Sequence, residues 1–68
     1  MGEIDKNMAF SLVIKALDTG NEKLAKRLMR IIARSIQQEN RNKLNSSKVL
    51  FDNADDAHLF GELVLRFN

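Results

Sequence analysis

The chain has 68 residues, with 11 Lys or Arg against 9 Asp or Glu, one His, and neither Cys nor Pro. So short a chain has room for one domain, residues 1–68, and buries only about 60% of the surface its unfolded form exposes, so its stability margin is thin. Without Cys there is no disulfide staple, and His58 alone makes no structural zinc site, so apolar packing has to hold the fold.

The net charge of +2 is laid out unevenly: residues 1–19 sum to −1, residues 20–43 to +5 and residues 44–68 to −2. The opening residues Met1 to Asn7 lack the basic-then-apolar order of a signal peptide, and Lys6 stands where a myristoylation motif needs Ser or Thr. No stretch reaches the roughly 18–20 consecutive apolar residues of a membrane helix. A cytoplasmic chain with no membrane partner is the expectation.

Taken in chain order, the first predicted element is a helix from about Met8 to Asp18. Its only polar residues, Ser11, Lys15 and Asp18, recur at i, i+4 and i+7, one narrow wet stripe on an otherwise apolar cylinder. Such a helix needs cover on more than one side, more than two partner helices supply. Asp18-Thr19-Gly20-Asn21 reads as stop and restart: Gly20 is free to turn left-handed and Asn21 can cap the next helix, while Thr19 with Glu22 fits a capping box.

The second helix is predicted from Glu22 to about Lys43. Leu24, Leu28, Ile31, Ile32 and Ile36 form its inward face, widened by Ala25, Met29 and Ala33. On the opposite side Lys23, Arg27, Arg30 and Arg34 make a cationic stripe that Arg41 extends by one heptad. Asn45-Ser46-Ser47 carries side chains that compete with helix hydrogen bonds and predicts a turn. From Ala54 the spacing of Leu59, Phe60, Leu63, Val64 and Phe67 predicts a third helix, capped by Asn53 or Asp52, with Asp55 and Asp56 at its positive end. Against it, Gly61 weakens a helix by about 1 kcal/mol relative to Ala, and the alternation of residues 62–67 suits a short strand. The fold class is therefore all-α, a small three-helix bundle, with a terminal strand as the alternative.

Chemistry has few footholds. Acid-base or nucleophilic catalysis needs a poised base beside a nucleophile; His58 stands among acids, and the serines, at 11, 35, 46 and 47, have neither the flanking glycines of a nucleophile elbow nor a phosphate-binding loop. No catalytic residue and no cofactor is assigned. Asp52, Asn53, Asp55, Asp56 and His58 gather metal-type donors but lack the glycine of a calcium loop, and they read as helix capping, so no metal is expected.

The order of features from Leu12 to Leu44 carries a resemblance. Ile14-Lys15-Ala16-Leu17, the Gly20-Asn21-Glu22 turn, Leu28 through Ile32-Ala33-Arg34, and Asn42-Lys43-Leu44 together resemble the N-terminal helical domain that precedes the core of a group of bacterial AAA-type ATPases. The resemblance ends at Leu44 and implies a domain that engages substrates or partner proteins, with phosphate chemistry in a separate core; no Walker motif is present, so it implies no ATP site here.

The leading expectation is a non-catalytic protein-recognition module. Phe10, Val13 and Leu17 serve as apolar anchors, and Lys23, Arg27, Arg30 and Arg34 steer an acidic protein partner. Two alternatives remain open: a free-standing nucleic-acid-binding or regulatory protein using the basic stripe, and a small homodimer that buries the first helix twice.

Overall fold

The computed structural model describes residues 4–43 and 46–67. Its elements are α1 (Lys6–Asp18), α2 (Glu22–Asn42) and α3 (Ala54–Phe67), an all-α bundle of three helices. Helix α1 begins before Met8 because Asp5, held extended, accepts the Met8 N–H on Oδ1 at 2.9 Å and so caps it. Its end is a Schellman turn: Gly20 at φ 80° donates to Leu17 O and Asn21 donates to Ala16 O. Asn21 then starts α2 by accepting the Leu24 N–H on Oδ1 at 3.2 Å, while the Thr19 hydroxyl turns back to Ala16 O. Of the two caps the sequence allows, Asn21 is used.

The turn folds α2 back along α1. Ala9, Leu12, Val13 and Ala16 are buried against Ala25, Leu28, Ile31 and Ile32, the three alanines letting the backbones approach. Helix α3 lays Phe60 and Leu63 onto this hairpin, and the Phe60 ring meets Phe51 at 5.3 Å between centroids, tilted 55°. Lys15 Nζ donates to Phe67 O at 3.2 Å, tying the end of α3 to α1.

The inward line of α2 differs from the predicted one. Ser35 and Glu39 are buried, whereas Met29, Ala33 and Ile36 are exposed. The repeat that faces inward is Leu28, Ile32, Ser35 and Glu39, and the far half of α2 meets the Leu50 amide and the Lys6 ammonium rather than another apolar helix. Ser35 Oγ accepts the Leu50 N–H at 2.7 Å. Glu39 Oε2 receives Lys6 Nζ at 2.7 Å, and the same ammonium donates to Ser46 O.

Of the turn predicted at residues 45–47, Asn45 lies outside the described residues, as do Leu44, Asn68 and residues 1–3; Ser46 and Ser47 are non-helical, with Ser46 Oγ accepting the Lys48 N–H. Here Asp5 and Lys48 form an antiparallel bridge. Lys6 N–H donates to Ser47 O at 2.7 Å and Val49 N–H to Ile4 O at 2.8 Å, which buries Ile4 and Val49.

Residues 62–67 are helical. A strand would place Leu63, Leu65 and Phe67 on one side; instead Leu65 is 83% exposed while Phe60 and Leu63 are buried, so the three-four spacing prevails. Asn53, not Asp52, caps α3: its Oδ1 accepts the Asp56 N–H at 2.9 Å.

Candidate functional site

Because α3 covers one side of the α1–α2 hairpin, the other side is bare. On α1, Phe10, Ile14 and Leu17 follow one another at i, i+4 and i+7 and are all exposed, Ile14 to 58% and Leu17 to 52%. Alongside, α2 presents Met29, Ala33 and Ile36 at the same spacing, also exposed. Between the helices runs a groove lined by Val13, Leu17, Ala25 and Met29, with Glu22 and Lys26 on its rim. Val13 is itself buried; it belongs to the core and forms the groove's floor rather than a free anchor.

A second groove lies further round α2. Lys23, Lys26, Arg27, Arg30 and Arg34 line it over the edge of Ile31, with Asp56 on the wall contributed by α3. Arg34 is paired with Asp52 at 3.3 Å, and Asp52 also accepts from Gln38. Asp56 is held in the α3 cap by Asn53. Lys23, Lys26, Arg27 and Arg30 have no carboxylate partner among the described residues. At 100° per residue, the exposed apolar line and the basic stripe are centred roughly 120° apart on α2. Lys26 stands between them and lines both grooves.

No family model, curated protein or solved structure matches the chain. What the two grooves can do follows from their own chemistry. The residues expected to act together, Phe10, Val13 and Leu17 with Lys23, Arg27, Arg30 and Arg34, are divided between two faces, so one small contact cannot use them all. Ile14, Met29, Ile36 and Lys26 were missing from that set. Ile14 was readable from the width of the apolar face of α1, but Met29 and Ile36 looked like core, and Lys26 lies off the repeat of the stripe.

The acid-rich stretch is spent on structure: Asp52 on Arg34 and Gln38, Asn53 and Asp56 on the cap, and His58 on Glu62 at 3.0 Å. Among the described residues, no three His, Asp or Glu side chains are grouped so as to hold a metal ion. Nor is any described helix long and apolar enough to cross a membrane.

Proposed function

We propose that the chain is a protein-docking module that receives an amphipathic helix in the groove between α1 and α2, as the N-terminal domain of an AAA-type ATPase would engage a substrate or partner. The observation that carries the reading is the contiguous face of Phe10, Ile14, Leu17, Met29 and Ile36, exposed side by side on two antiparallel helices. Two parallel ridges with a groove between them suit a third helix that inserts apolar residues at i, i+3, i+4 and i+7. Isolated exposed apolar residues need no explanation, but an aligned set in one patch marks an interaction surface.

Charge defines the partner further. Lys26 lines the α2 side of the groove, with Arg30 one turn on in the adjoining basic groove, whereas the α1 side offers the neutral Asn7 and Ser11. Asp18 and Glu22 close the turn end with negative charge. The fitting helix therefore carries carboxylates along one flank, over the middle of α2.

The test uses a peptide of about 18 residues with Leu at helical spacing and Glu on one flank, beside a twin with Lys on that flank. Methyl resonances of Ile14, Leu17, Met29 and Ile36 are followed by NMR during each titration. The Glu peptide is expected to shift those methyls and the Lys peptide to bind at least tenfold more weakly, a difference of about 1.4 kcal/mol. Leu17→Glu abolishes the response. Shifts scattered over α3, or equal binding of both peptides, would overturn the reading, and shifts that appear on raising the chain's own concentration would assign the face to a second copy.

A further inference from the structure

We infer that the basic groove of α2 is a second site, adjoining the apolar one at Lys26, that binds the phosphate backbone of double-stranded nucleic acid through Lys23, Lys26, Arg27 and Arg30.

The first ground is uncompensated charge. Lys23–Arg27 and Lys26–Arg30 are i, i+4 neighbours, Lys23–Lys26 and Arg27–Arg30 are i, i+3 neighbours, and like charges at those spacings destabilise a helix. Glu22, an i, i+4 neighbour of Lys26, offsets part of this repulsion at the start of α2, but no carboxylate among the described residues is within salt-bridge distance of any of the four. Of the nearby carboxylates, Asp52 pairs with Arg34 and accepts from Gln38, while Asp56 on the groove wall accepts from the Asn53 amide and makes no ion pair among the described residues. Four exposed cations thus converge on one groove that holds a single acid, Asp56, and none of the four is ion-paired among the described residues.

The second ground is what the groove lacks. Its one apolar lining residue, Ile31, is 6% exposed, so a protein partner would find no pocket for the buried anchor that protein interfaces depend on. Phosphate contacts need no such anchor, since their affinity comes from cations releasing counterions. Nor does the groove hold an aromatic ring on which an unpaired base could stack: Phe60 is fully buried and Phe51 packs against it. That favours a duplex over a single strand.

The third ground is length. From Lys23 to Arg30 the helix rises about 10 Å, and four successive phosphates of one strand span about the same distance along a duplex axis. The paired Arg34–Asp52 and the Asp56 wall end the cationic run on the α3 side and set which end of α2 the backbone crosses. Contacts of this kind, to phosphates, position a duplex and carry no sequence information.

The experiment is fluorescence anisotropy of a labelled duplex of about 20 base pairs titrated with the 68-residue chain at several salt concentrations. Four phosphate contacts give log K against log salt a slope of about −3.6, so affinity falls roughly 100-fold between 50 and 200 mM salt. Arg27→Gln with Arg30→Gln should halve that slope, whereas Ile14→Ser on the apolar face should leave it unchanged. Circular dichroism checks the fold, and should the arginine pair lose helix, Lys23→Gln with Lys26→Gln makes the same test. Absence of duplex binding at 50 mM salt, or a slope the Gln variants do not alter, overturns the assignment. So does tighter binding of a single strand of the same sequence, or equal competition by a polyglutamate peptide of matched charge, which would make the groove a site for acidic protein.

Discussion

Ser35 lies 1% exposed in a helix whose other inward residues are mostly apolar, and one bond accounts for it: its Oγ accepts the Leu50 N–H at 2.7 Å. Leu50 belongs to the connection before α3, where no strand or helix supplies an acceptor for that N–H, so the hydroxyl does a backbone's work. Ser35→Ala is expected to cost about 1–2 kcal/mol, the penalty of an unmatched donor, measured as a lower urea midpoint with an unchanged slope. Four residues on, Glu39 makes a different bargain. Its Oε2 meets Lys6 at 2.7 Å, but its Oε1 is buried without a partner, so the carboxylate is only half satisfied. Removing one member of such a pair strands the other. Glu39→Leu alone is expected to cost about 2 kcal/mol, below the full buried-pair penalty because the Lys6 side chain is 23% exposed. With Lys6→Met added, at least half of that loss should return. A double-mutant cycle in urea measures the difference, and a second substitution that only adds to the first would show the pair to be uncoupled.

At the scale of elements, two glycines with opposite roles show what could be read in advance. Gly20 sits at φ 80°, where an L side chain is strained, and the Schellman bonds of Gly20 and Asn21 depend on it; Gly20→Ala should cost about 1 kcal/mol. Gly61 is mid-helix, and a Cβ there would meet nothing within 4 Å, so Gly61→Ala should stabilise the chain by about 0.5–1 kcal/mol. Thermal unfolding of the two variants separates them by the sign of the Tm change. The hairpin turn and the helical identity of residues 54–67 were legible because capping chemistry and three-four spacing are local properties. Which face of α2 turns inward was not. Ile36 and Ser35 are neighbours in sequence, and periodicity ranks Ile36 as core; the choice falls to Ser35 because the residue opposite is the unpaired N–H of Leu50, a partner 15 positions away. The bridge between Asp5 and Lys48 escaped for the same reason, since it joins two segments with no strand pattern of their own. The difference in α2 bears on the site, because Met29 and Ile36, which periodicity ranks as core, are two of the five large residues of the exposed apolar face.

For the whole molecule the question is how a small core supports a bare apolar face. The largest fully buried side chains are Phe60, Leu12, Leu28 and Ile32, joined by Ser35, and a domain of this size commands only about 3–5 kcal/mol of net stability. Deleting the Leu28 side chain beyond Cβ, at 0% exposure between the helices, should cost about 2–5 kcal/mol, which is comparable with the whole. Leu28→Ala is accordingly expected to be largely unfolded by circular dichroism without denaturant. Leu17, one side of the groove and 52% exposed, should behave otherwise: Leu17→Ser leaves the helices in place and changes stability by less than about 1 kcal/mol. If the face serves a partner and not the fold, Leu17→Ser weakens docking at almost no cost to the free chain. Unfolding midpoints measured from roughly 10 to 500 µM chain complete the comparison, because a self-associating face makes the midpoint rise with concentration, whereas a face kept for another protein leaves it fixed. Loss of the fold in Leu17→Ser, or a midpoint that climbs with concentration, would return the apolar surface to the core or to a second copy.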